Sequence, residues 1–264
     1  MKAVLNNRAI IAVSGPEVRT FLQGLITNDI NKLTSEAPLY AALLTPQGKV
    51  LFDFLLYERE GTILLDCARV AAEALAKRLS MYRLRAKVGI ASRGDLAVIA
   101  SWNGGTEGES RDPRVVGLGR RSIGMDDTES ASADAYTAHR LDLGVPEGRD
   151  FGQDEMFALD ADLDELNGVS FDKGCYVGQE LTARMKHRGT ARKKLLPIEA
   201  AAGGLPAPGS RVSANGSDLG TITSIYGNRG FALIRLDRLA EAQDAPLESD
   251  GARVNVKKPS WLFP

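Results

Sequence analysis

The apolar positions of the chain change period several times, and each change marks an element. Val18, Phe21, Leu22, Leu25 and Ile26 recur at helical spacing and predict a helix with one face on a core. Ser14-Gly15-Pro16-Glu17 ahead of them reads as a helix start, in which Ser14 caps an orphan N–H and Glu17 reaches back. Two apolar runs, 39–44 and 50–57, flank Pro46-Gln47-Gly48-Lys49, whose fixed proline φ and permissive glycine suit the turn of an antiparallel hairpin. A third run, 62–67, follows a break at Gly61. Residues 70–82 return to helical spacing through Val70, Ala74, Leu75, Leu79 and Tyr82, and short strands are predicted at 86–91 and 95–101.

Farther on, residues 102–113 are Gly-rich and polar and read as a surface loop, 131–143 as a helix, 144–154 as irregular chain and 181–187 as a helix. From Leu195 the texture becomes short β-like runs with turn signals at 206–209 and at Asn215-Gly216, predicting strands at 218–225, 230–236 and 252–257. Strand pairs alternating with single helices predict an α+β fold, not a doubly wound parallel sheet, and the β-rich end predicts a small antiparallel barrel or sandwich. The boundaries fall at 1–101 for an N-terminal α+β module, 102–188 for a second, and 189–264 for the β domain.

Composition narrows the possibilities. With 264 residues, 44% of them hydrophobic and 25% charged, the chain can bury a substantial core. Lys+Arg 33 against Asp+Glu 34 gives a net charge of -1, so no bulk electrostatic case exists for direct nucleic-acid binding. Cys67 and Cys175 are too few and too distant for a disulfide framework, which points to a reducing compartment. The N-terminal apolar stretch is broken by Asn6, Asn7 and Arg8, and no run approaches the ~20 residues that span a bilayer. A soluble intracellular protein is expected, in a bacterial cytoplasm or a mitochondrial matrix.

The chemistry concentrates in residues 171–180, where Lys173, Gly174, Cys175, Tyr176, Val177, Gly178, Gln179 and Glu180 surround one thiol with two glycines, a base, an amide and an acid. That is a poor recipe for core and a good one for a built site. A helix beginning just beyond would set its N-terminus near Cys175, and its dipole together with Lys173 would favour a thiolate, which serves as nucleophile and as soft metal ligand. Cys67 ends an apolar strand and reads as structural. Arg184, Lys186, His187, Arg188, Arg192, Lys193 and Lys194 form a basic cluster, either a solvated face or a landing site for anions. There is no P-loop and no HExxH, His139 and His187 lack metal-ligand spacing, and Gly117-Leu118-Gly119 is followed by no amphipathic helix.

The stretch from Lys173 to Glu180 resembles the signature of the YgfZ family in the folate-binding glycine-cleavage T-protein superfamily, whose mitochondrial relatives serve iron-sulfur assembly. Further resemblances follow in family order: Phe21-Leu22-Gln23-Gly24 with Thr27-Asn28-Asp29, the turn from Thr45 to Lys49, the run from Tyr82 to Val88, and Arg140-Leu141-Asp142-Leu143-Gly144. The resemblance implies a ring of mixed α+β modules with a C-terminal antiparallel β-barrel around a hole that binds tetrahydrofolate or a derivative. It implies a factor for iron-sulfur cluster assembly or repair, indirectly for tRNA modification, acting through Cys175 with Lys173 beside it. The partners implied are an A-type iron-sulfur scaffold or client iron-sulfur proteins, and Cys175 would be one ligand of a shared or transient cluster. Asp53 and Asp142 stand where T-proteins place acids that meet the folate, with Tyr176, Gln179, Glu180 and Arg184 as further binding candidates. Asp142 and Asp160 replace expected glutamates. The alternative reading is a folate-dependent aminomethyl or methyl transferase.

Overall fold

The fold was obtained as a computed structural model, which describes residues 1–264 except 105–109, 126–128, 190–191, 244 and 264. The strands are β1 (Lys2–Val4), β2 (Arg8–Ser14), β3 (Leu39–Leu44), β4 (Val50–Arg59), β5 (Thr62–Ala68), β6 (Gly89–Ser92), β7 (Ala97–Ser101), β8 (Arg120–Gly124), β9 (Lys193–Ala200), β10 (Arg211–Ala214), β11 (Ser217–Tyr226), β12 (Arg229–Arg235), β13 (Leu247–Ser249) and β14 (Ala252–Val256). The helices are α1 (Val18–Gln23), α2 (Ala72–Arg83), α3 (Ala133–Asp142), α4 (Gly148–Phe151), α5 (Gln179–Arg188) and α6 (Leu236–Ala242).

A five-stranded antiparallel sheet in the order β3-β4-β5-β2-β6 divides the N-terminal half into two cores. Side chains alternate across each strand, so Ile11, Val13, Phe52, Phe54, Leu56, Ile63, Leu65 and Cys67 face the core shared with α1 and α2. Ile10, Ala12, Tyr40, Ala42, Leu55 and Leu64 face the other way, into the core shared with α3 and a second sheet. The same alternation puts Arg8, Asp53, Tyr57 and Asp66 on that second face.

The second sheet, β1-β7-β8, joins chain from both sides of position 101: β7 pairs with β1 through Lys2↔Ser101 and with β8 through Ser101↔Arg120. The segment after α4 docks on the first hairpin, with Val50 N donating to Met156 O at 2.9 Å. The C-terminal strands close a barrel in the order β10-β11-β12-β9-β14-β13 around Leu196, Ile198, Val212, Ile222, Ile234 and Val254. Asn215 and Gly216 take φ of 49° and 76° at its β10–β11 hairpin, as an Asn-Gly turn requires.

Two local expectations need correction. Ser14 ends β2 and caps nothing. The N-cap of α1 is Glu17, which makes no side-chain cap bond, because its carboxylate instead accepts the Lys87 N–H at 2.7 Å. The helix expected at 70–82 begins two residues later, after a 3₁₀ turn at Arg69–Ala71 that leaves Val70 98% exposed.

Candidate functional site

Two regions carry the chemistry. The first is a pair of adjoining cavities of about 320 and about 550 Å³ that share Ala68, Val70, Gly148 and Arg149. The smaller is walled by Leu51, Phe52, Asp53, Cys67 and Phe151, and the larger by Arg8, Arg69, Tyr136, Arg140, Glu147 and Tyr226. Asp53 Oδ2 accepts the Tyr40 hydroxyl at 3.2 Å, and Gly148 lies so close that a Cβ there would sit 2.7 Å from Asp53 Oδ1. Burial, with Glu147 adding to it, raises the Asp53 pKa against the opposing pull of Arg8 and Arg114.

Beneath these cavities runs a buried ionic floor. Asp66 bridges Arg8 at 2.6 Å and Arg121 at 2.7 Å, while Asp112 takes Arg114 at 2.7 Å. Glu147 sits among Arg114, Arg121 and Arg8 at 3.0, 3.6 and 3.7 Å. Burial works against its ionisation, but Arg140, Arg114, Arg8 and Arg121 together outweigh it and hold the carboxyl well below the usual range. Beside it Asp150 accepts Arg140 at 2.7 Å, Ser224 at 2.6 Å and Tyr226 at 2.8 Å, tying α3 and α4 to the barrel. Arg149 stacks over the Tyr226 ring at 4.8 Å on the cavity wall.

The second region is the signature segment. Cys175 is exposed, and Cys67 is buried with its thiol pushed up to about 12, chiefly by burial. The chain around Cys175 forms an arch. Its leading foot is Lys173, buried, whose ammonium donates to the carbonyls of Gln23, Ile26 and Asn28 at 2.8, 2.6 and 2.9 Å. Those three acceptors use all three ammonium protons. Nearby, Thr27 Oγ1 donates to Gly168 O at 2.6 Å and Ser170 N to Thr27 O at 3.0 Å, so one loop of the N-terminal module holds the whole approach to the arch.

The trailing foot is Tyr176, buried in the larger core with its phenol pushed up to about 12 by burial, followed by Gly178. Gly178 has φ 83°, and a Cβ there would lie 2.5 Å from Thr45 O and 3.2 Å from Gly48 Cα. Only bare backbone lets the arch rest on the β3–β4 turn. Gly178 is also the N-cap of α5.

The arch and α5 therefore bring Lys173, Cys175, Tyr176, Gln179, Glu180 and Arg184 together. Glu180 and Arg184 pair on the exposed face of α5 at 2.6 Å, and Gln179 N donates to Tyr176 O at 3.2 Å. Asp53 lies in the cavity instead, and Asp142 in neither region: it pairs with Arg229 beside a separate depression walled by Leu143, Pro197 and Trp261. The reason is helical rotation, since Arg140 points inward and a position two residues on lies about 200° around α3. Glu147, the N-cap of α4 in a stretch that reads as irregular chain, walls the larger cavity, as does Asp134 of α3. Of the basic cluster, Lys186 pairs with Asp164 at 2.9 Å, and Lys194 is buried, donating to Leu159 O at 2.6 Å and Glu165 at 2.7 Å. Among the described residues no group of three or more His, Cys, Asp and Glu is placed to hold a metal ion.

Comparison with known proteins adds kinship to this geometry. Residues 192–264 match the family described as CAF17, C-terminal beta-barrel domain. The mitochondrial iron-sulfur cluster assembly factor IBA57 of Mus musculus is 33% identical over 305 residues, covering 97% of this chain and 84% of the mouse protein. The Homo sapiens IBA57 is 32% identical over 302 residues with the same coverage. In three dimensions the glycine cleavage system aminomethyltransferase T from Bartonella henselae superposes with a TM-score of 0.76 over 98% of this chain and 85% of that one, at 15% identity, a likeness of fold.

Proposed function

The chain belongs to the IBA57 family of iron-sulfur cluster assembly factors, and on that premise we propose that it serves cluster assembly or repair through Cys175 while holding a reduced folate in the central cavity. The observation that carries this reading is the exposed thiol on an arch anchored at both ends. A thiolate is a soft ligand, and one cysteine supplies a quarter of the protein ligands a cluster ordinarily takes. The cluster is cargo on this reading. Its remaining ligands come from the partner, an A-type scaffold or a client iron-sulfur protein, and tRNA modification is served through such clients.

The cavity residues fit a folate. Asp53, Phe52 and Phe151 wall an apolar chamber, which suits a flat heteroaromatic ring with an N–H edge, and the bare backbone of Gly148 keeps a Cβ from crowding Asp53 Oδ1. Arg69 and Arg149 in the adjoining chamber suit a carboxylate tail. A reduced folate supplies a pterin ring that carries one-carbon units. The chain's own part is to bind that ring through Asp53 and to exclude water from its apolar side.

The test is a complementation of cells lacking this protein, read by the activity of a cluster-dependent enzyme. Cys175→Ser is expected to fold, to keep its thermal shift with 5-formyl-tetrahydrofolate, and to lose support for the cluster enzyme. Asp53→Asn is expected to lower folate affinity about tenfold or more, the loss of one charge-assisted contact. Full support from Cys175→Ser overturns the role of the thiol, and an unchanged thermal shift in Asp53→Asn overturns the site assigned to the folate.

A further inference from the structure

We propose that Lys173 is a positioning residue for Cys175: its ammonium is caged by the backbone of the N-terminal module, and that cage fixes the arch that presents the thiol. The inference deepens the reading of Cys175 as the working group and rests on it. Burying an ammonium is costly unless its protons are satisfied. Lys173 satisfies them with neutral carbonyls at and just beyond the C-terminus of α1, where chain carbonyls lack intrahelical partners. Three acceptors converging on one nitrogen locate it in every direction. They leave no N–H to offer the cysteine, so Lys173 works through the arch and not on the sulfur.

The rest of the arch shows why such a clamp is needed. The Lys173 nitrogen lies 5.0 Å from the centre of the Tyr176 ring, so the two feet also brace each other. Between them Gly174 and Cys175 are exposed, and a Cβ added at Gly174 would meet nothing within 4 Å. The apex is thus left to solvent, and its orientation is inherited from its feet. A planar guanidinium cannot reproduce three convergent bonds, which makes lysine specific at this position.

The experiment attaches a nitroxide methanethiosulfonate label to Cys175 in the full chain, with the buried Cys67 left unlabelled. The wild-type spectrum is expected to be motionally restricted. In Lys173→Met and Lys173→Ala it is expected to narrow, with the rotational correlation time falling about threefold or more, while circular dichroism reports a folded protein. Propylammonium, which replaces the deleted atoms, is expected to restore the restricted spectrum of Lys173→Ala, and Lys173→Arg is expected to remain mobile. Folded Met and Ala variants with the wild-type spectrum would overturn the clamp.

A measurement on the unaltered protein covers the case in which these variants fail to fold. In ¹⁵N-lysine-labelled wild type, the ammonium in contact with the Tyr176 ring is expected to exchange its protons at least tenfold more slowly than exposed lysines. Fast exchange there would equally overturn the cage. These readouts follow the arch alone. A clamp that passes them beside a fully active Cys175→Ser would leave the clamp standing and remove the cluster role.

Discussion

The ionic floor and the cysteine arch are both held by buried charge, and they use it in opposite ways. In the floor, three arginines meet three carboxylates, so charge is cancelled by charge and the array is rigid only while every member is present. In the arch, one ammonium is satisfied by uncharged carbonyls, and the thiol it supports is left to solvent. The first arrangement adds ionic links between sheets and helices that also share an apolar core. The second spends one side chain to hold out a reactive atom. A fold can thus keep a polar cavity stiff and a surface cysteine well placed without sharing residues between the tasks.

The sharpest way to break this comparison is to remove the hub of the floor. Asp66→Ala removes the acid that bridges Arg8 and Arg121 and leaves them the longer contacts to Glu147, at 3.7 and 3.6 Å, and it should cost roughly 3–5 kcal/mol, read as a fall in the denaturation midpoint in urea. The arch should break less severely at its trailing foot. Gly178→Ala forces a Cβ against Thr45 O at φ 83° and should cost about 2–3 kcal/mol, whereas Gly174→Ala at the open apex should stay within about 0.5 kcal/mol in thermal unfolding.

Asp160 sharpens the comparison from the side of an unbalanced charge. It is mostly buried, and burial pushes its carboxyl up to about 6 despite Lys193 and Lys194. An acid raised in the folded state weakens the protein as pH climbs from its unfolded value through that of the fold. Asp160→Asn should therefore stabilise by roughly 1–2 kcal/mol at neutral pH, after allowance for solvent screening, with the gain disappearing as pH falls below about 4. The smallest effect belongs to Asp142→Ala, whose pair with Arg229 is exposed: about 0.5 kcal/mol or less, with the folate thermal shift unchanged.

The hairpin at 46–49, the α5 helix and, in the C-terminal domain, β11, β12 and β14 were legible in the sequence because short-range pattern and turn chemistry dictate them, whereas β9, β10 and β13 were not delimited. Pattern alone left barrel and sandwich both open, since closure depends on β9 meeting β14 across a long separation; the family resemblance implied the barrel that forms. The floor was hidden for a related reason. Asp66 reads as a single charge in an apolar run and Arg8 as a break in the N-terminal apolar stretch, and only the sheet register that pairs β2 with β5 brings them face to face. The signal available was their phase, each falling on the same side of its strand as buried apolar neighbours. At the arch, composition pointed to Cys175 correctly as an exposed group, but the partners of Lys173 lie about 150 positions away and no local pattern reveals them.

Gly178 and Gly48 touch back to back across the gap between the two halves of the chain. Their contact acts as a gauge, because neither position accepts a side chain unless the other loop retreats. Descendants of this protein are thereby constrained to inherit the hairpin tip and the thiol-bearing segment as a matched set, however freely the surfaces around them drift.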